Sequence, residues 1–109
     1  QLGRVVTNLV KNALQATESI ANPQVEVSLT TERDRVVLSV KDNGIGIAEE
    51  DKEKIFEPKF TTKSSGSGLG LAMVRNIVLS YQGTISFSSV EGKGSEFIVS
   101  LARILINNK

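Results

Sequence analysis

Apolar residues recur at three- and four-residue spacing from the start of the chain: Leu2, Val5, Leu9, Ala13 and Ala16. That period predicts an amphipathic helix with one face turned to a core. "ANPQ" (21–24) ends it, because proline and the residue before it disfavour helix. The period then drops to two. Val25, Val27 and Leu29 alternate with polar residues, "TTERDR" (30–35) reads as a polar turn, and "VVLSVKD" (36–42) supplies a second strand, so a β-hairpin with a longer loop is expected. A short polar helix over about 49–54 and a loop over 55–67 follow. Helical spacing returns from Leu69 to about Tyr81, with Leu71, Val74, Val78 and Tyr81 on one face and Gly83 as C-cap. "TISFSSV", the turn "EGKG" and "SEFIVSLARIL" form a second hairpin. Helix, two strands, helix, two strands predicts an α+β sandwich with both helices on one sheet face.

Phase singles out individual side chains. Val36, Leu38 and Val40 share one face of their strand, and the same alternation turns Asp42 toward the core. A core-facing carboxylate is costly without a partner. It reads either as a capping aspartate at a strand end or as a pocket residue, and the glycines of "DNGIGI" favour the pocket. On the first helix Asn8, Lys11, Asn12 and Gln15 form a second stripe, and paired amides are unusual on a merely solvated face. Gly66, Gly68 and Gly70 lead into the second helix, where backbone N–H groups can approach an anion.

Composition narrows the chemistry. The 109 residues suit one domain with a real core. Thirteen basic against twelve acidic residues leave a net charge of +1, which argues against a nucleic-acid surface. The absence of cysteine and histidine removes thiolate and imidazole metal sites, a cysteine nucleophile, the commonest general base and any histidine phosphoacceptor. With no apolar run of membrane-spanning length and no signal peptide, a soluble cytoplasmic domain is expected. The first helix is under way at Leu2 without an N-cap, which reads as a fragment truncated at its N-terminus.

The glycine stretch fits no familiar phosphate loop. No lysine follows the glycines as a P-loop requires, and their spacing of two and two is neither a Rossmann nor a protein-kinase fingerprint. The joint pattern is more specific. Asn8-x-x-x-Asn12, Asp42-x-Gly44-x-Gly46, the segment holding Phe56 and Phe60, and Gly66-x-Gly68-x-Gly70 occur in that order. They resemble the N box, first glycine box, F box and second glycine box of sensor histidine kinases. These belong to the superfamily of gyrase B, heat-shock chaperone and mismatch-repair ATPases that share the Bergerat fold. "NALQA" and "FEPKFTTK" are most similar to the nitrogen-regulation type. The resemblance covers residues 1–109 and implies a mixed, mostly antiparallel sheet, although such domains usually begin one strand earlier.

The resemblance also implies roles. Asn12 would hold Mg²⁺ through its amide oxygen, with Asn8 supporting it or the triphosphate. Asp42 would accept a hydrogen bond from the adenine amino group above Gly44 and Gly46. Gly66, Gly68 and Gly70 would hinge a lid and aim N–H groups at the phosphates. Ile47, Phe56, Leu69 and Leu71 would also lie at the nucleotide, and Ser95 would steady Asp42 or a water beside it. The family's phosphate-binding lysine is replaced by Gln15, leaving Lys11 or Lys63 to supply that charge. The implied activity is transfer of the ATP γ-phosphate to a histidine on the parent kinase's dimerisation domain, with a response regulator downstream. The fragment would be monomeric, within a homodimeric parent of a kind that can be membrane-anchored. The competing readings are a gyrase- or chaperone-like ATP-driven switch, an anti-sigma-type serine kinase and a nucleotide sensor without transfer. Hydrolysing relatives carry glutamate where this chain has Asn8, which favours transfer. A poorly ordered lid over 57–67 and an open sheet edge that recruits another chain, or the apolar tail 104–106, are further expectations.

Overall fold

The computed structural model describes residues 2–57 and 70–102. The stripe read from the sequence becomes helix α1, Leu2–Ala16, with Val5, Leu9 and Ala13 buried along it. A hairpin of β1, Val25–Glu32, and β2, Arg35–Asp42, follows. Helix α2, Gly70–Ser80, precedes the second hairpin of β3, Thr84–Val90, and β4, Gly94–Ala102. The four strands form one sheet in the order β1-β2-β4-β3, and every pairing is antiparallel. The parallel component of a mixed sheet is therefore not found among the described residues.

Both helices lie on the same sheet face. Val5, Leu9 and Ala13 of α1 and Val74 and Val78 of α2 meet Leu38 and Val40 of β2 and Phe97, Val99 and Leu101 of β4. Ile55 closes one end of this core. The central strands β2 and β4 are thus covered, whereas edge strand β1 is not. Leu29 pairs with Leu38 in register and faces the helix side, yet it is 67% exposed.

Three local features differ from the sequence reading. The first hairpin has a two-residue turn, Arg33 and Asp34, with Glu32 opposite Arg35 as its last pair, in place of the longer loop. Neither face of β1 is buried there, so polarity does not mark where the strand ends. The polar helix over 49–54 is a single 3-10 turn, Glu49–Asp51, whose N-cap Ala48 makes no side-chain bond. At the end of α2 the left-handed residue is Gln82 (φ 60°), not Gly83. The Gly83 N–H bonds the Val78 carbonyl at 3.0 Å and the Gln82 N–H bonds that of Leu79 at 2.9 Å, a Schellman closure. Gly83 is required for space: a Cβ there would lie 2.6 Å from the Ser100 carbonyl oxygen. Of the lid read over 57–67 only Glu57 is described, and the tail 104–106 lies outside the described residues.

Candidate functional site

β2 ends on Asp42, on the same face as Leu38 and Val40 and only 6% exposed. Its Oδ1 accepts the Gly44 N–H at 2.8 Å. Burial pushes the carboxyl above its ordinary pKa, while the backbone N–H groups of Gly44 and Ser95 pull against that rise. The result is a buried acceptor oriented by backbone alone, with lone pairs left for a further donor.

The chain then turns sharply past the C-terminal end of α1. The Ile45 N–H bonds the Ala16 carbonyl at 3.0 Å, and the Ile45 carbonyl accepts the Gly92 N–H at 2.7 Å. A Cβ on Gly44 would lie 2.4 Å from the Ala16 carbonyl oxygen. Gly46 is left-handed (φ 71°), and its Cβ would lie 2.2 Å from the Val90 carbonyl oxygen. Backbone is therefore packed on backbone, and larger side chains are excluded by contact. Asn43 fastens the loop to the start of β1, accepting the Gln24 N–H at 2.8 Å and donating to the Asn22 carbonyl at 2.9 Å.

The amide stripe runs between this loop and α2. Asn12 lies one turn before Ala16 on the same helix face, is half-buried, and its side chain makes no hydrogen bond among the described residues. One turn earlier Asn8 donates its Nδ2 to the Arg4 carbonyl at 2.8 Å. Its Oδ1 would stand 3.6 Å from a Cβ at Gly70, the first residue of α2. Helix α1 thus joins the two glycine boxes: Ala16 meets the first, and Asn8 meets the last residue of the second. Gln15 is half-buried on this stripe and Lys11 is exposed.

Other expected site residues are placed differently. Phe56 packs edge-on against Phe87 at 5.9 Å, with the Arg75 guanidinium 5.9 Å over its ring, so it is tied into the core fringe. Leu71 and Ile47 also pack against the core while remaining half-buried. Ser95 stands opposite Asp42, as its phase implies, but its hydroxyl bonds the Ser89 hydroxyl at 2.8 Å rather than the carboxylate. Phe60, Lys63, Gly66, Gly68 and Leu69 lie outside the described residues. Sequence reasoning missed Ser89, whose Oγ also receives the Ile47 N–H at 2.8 Å. It missed Gly94 too, where a Cβ would lie 2.1 Å from the Asp42 carbonyl oxygen.

Comparison with known proteins fits this geometry. Residues 1–104 match the family described as histidine kinase-, DNA gyrase B-, and HSP90-like ATPase. Sensor histidine kinase ZraS of Salmonella typhimurium is 44% identical over 101 residues, covering 93% of this chain and 22% of that protein. The chain thus spans about a fifth of that relative's length. Among solved structures, the catalytic domain of histidine kinase ThkA superposes with TM-score 0.80 and 38% identity, covering 94% of this chain and 66% of that one. The mycobacterial sensor histidine kinase MprB gives 0.80 at 29% identity, covering 93% and 71%. With its four boxes in order and the match running through nearly every residue, this chain belongs to the histidine kinase-, DNA gyrase B-, and HSP90-like ATPase family.

Proposed function

We propose that this chain is the ATP-binding catalytic domain of a two-component sensor histidine kinase, holding ATP with Mg²⁺ and presenting the γ-phosphoryl group to a histidine on the parent's dimerisation domain. A response regulator is the onward acceptor, the parent is a homodimer, and the domain works on the cytoplasmic side. The observation that carries the reading is Asp42, a buried carboxylate held by the Gly44 N–H beside glycines that admit no side chain. The adenine amino group is the donor such an acceptor lacks.

The residues also suit the metal. No cluster of three acidic side chains gathers among the described residues, so no all-protein carboxylate cage is available there. Asn12 offers an uncommitted amide on the stripe between the glycine boxes, and Mg²⁺ takes few protein ligands when phosphates supply the rest. Bound there, the ion would neutralise phosphate charge. Phosphoryl transfer is mostly positioning and charge neutralisation, so little else is asked of the protein beyond a nucleophile. The chain has no histidine to serve as one. Water is poorly served as well, because Asn8 carries an amide that cannot take its proton. The nitrogen of an incoming histidine forms the new N–P bond as the bond to the ADP oxygen breaks.

The test has two arms. Calorimetry should show ATP and ADP binding, with an Asn12→Ala deficit that shrinks when Mg²⁺ is chelated. Labelled ATP mixed with the chain and a histidine-bearing hairpin from the parent should place acid-labile, base-stable label on the hairpin alone. Rapid hydrolysis by the chain alone, or label on its own serines, would overturn the kinase reading.

A further inference from the structure

We propose that Ser89 is a positioning residue for base recognition: its hydroxyl fixes the Asp42 surroundings and the Gly46–Ile47 backbone in the arrangement that distinguishes adenine, without itself touching the nucleotide. The inference rests on the reading of Asp42 as the adenine acceptor.

Ser89 continues the inward phase of Ile85 and Phe87 to the end of β3, and it is 7% exposed. A hydroxyl has one proton and two lone pairs. The Gly94 carbonyl, 3.0 Å away, can only accept, so the Ser89 proton goes there. The Ile47 N–H and the Ser95 hydroxyl, each at 2.8 Å, then donate into the two lone pairs. The group is saturated within the protein and has nothing left for a ligand.

The three partners belong to the three segments that surround Asp42. Ile47 ends the glycine loop that begins with the Asp42–Gly44 bond. Gly94 opens β4 where a Cβ would run into the Asp42 carbonyl, and Ser95 is the register partner of Asp42. With Ser89 donating to the Gly94 carbonyl, the Ser95 proton goes to Ser89 rather than to Asp42, and the carboxylate is held by the Gly44 N–H. Lys52 Nζ pins the same residue from outside, donating to the Ser89 carbonyl at 2.6 Å. Removing one hydroxyl therefore takes a bond from the loop, the turn and the strand end together.

The test measures dissociation constants for ATP and inosine triphosphate with Mg²⁺ chelated, so that the base end dominates. Inosine carries a carbonyl where adenine carries the amino group, and the ratio of the two constants reports how well Asp42 is aimed. Ser89→Ala should bring that ratio toward unity by about fivefold or more, the scale of a misdirected hydrogen bond to a charged group. Ser89→Thr, which keeps the hydroxyl, should restore it. Ser89→Cys conserves volume but bonds weakly; it should lower the ratio less, and it supplies the reading if the alanine variant does not fold. A purely structural role would lower the melting temperature and leave the ratio alone, and that result would overturn the inference. Asp42→Asn is the control. If it abolishes the preference while the Ser89 variants keep it, only this inference fails; if it leaves the preference intact, the adenine assignment fails and the inference with it.

Discussion

The two hairpins connect their strands with similar economy and under different constraints. Between β1 and β2 the chain reverses through Arg33 and Asp34, with Arg33 left-handed at φ 53°. Between β3 and β4 it reverses through Glu91, Gly92 and Lys93, with left-handed glycines at 92 and 94. The first turn stands at the end of an exposed edge strand, so a left-handed side chain there meets no crowding from a second segment. The second leans on the site: Gly92 bonds the Ile45 carbonyl, and Gly94 touches the Asp42 carbonyl. Turn chemistry here is dictated less by the reversal than by what the turn packs against.

Gly94→Ala is the strongest way to break this contrast. At φ 127° with a Cβ 2.1 Å from the Asp42 oxygen, alanine must displace backbone. The expected loss is roughly 3 kcal/mol or more of fold stability, measured by denaturant unfolding, with nucleotide affinity lost alongside. Asp42→Asn comes next. It should weaken ATP and ADP alike by roughly 1–3 kcal/mol in calorimetry.

The same substitution should have the opposite effect on the nucleotide-free fold. Burial raises the Asp42 pKa, so the folded chain keeps its proton to higher pH than the unfolded chain. The stability due to Asp42 is therefore full below the ordinary carboxylate pKa and falls as pH climbs to the raised folded value. Asp42→Asn should melt higher than the unaltered chain at neutral pH, with the gap closing in acid. A gap that widens in acid would show that hydrogen bonding to the carboxylate outweighs its burial.

The smaller effects sharpen the comparison within the turns. Gly92→Ala faces open space and should cost only about 1 kcal/mol, the price of a left-handed non-glycine residue, with little change in affinity. Arg33→Gly relieves comparable strain but adds unfolded-state freedom and gives up the contact Arg33 makes; it stands away from the site, so calorimetry should show nucleotide affinity unchanged.

Much of this was legible in the sequence because alternation and helical period are geometric. The inward turn of Asp42 follows from Val36, Leu38 and Val40, and the core face of α1 from Leu2 through Ala16. The same alternation applied to Ile85 and Phe87 points to Ser89, a signal that was present and not followed. What could not be read was proximity between distant segments. Nothing in "EGKG" says that Gly94 will press on Asp42, and nothing in "SYQGT" separates a glycine needed for φ from one needed for space. The length of the first turn was obscured because β1 is polar where it is exposed.

Helix α1 acts as a ruler. Asn8 at Gly70 and Ala16 at Gly44 are eight residues apart on one unbroken helix, a separation of roughly 12 Å. An insertion of one residue between them would advance one contact by about 1.5 Å and rotate it by about 100° against the other. The distance between the two halves of the site is therefore written into the residue count of a single helix. Changes of chain length belong at the Arg33–Asp34 turn, where no such measurement is being kept.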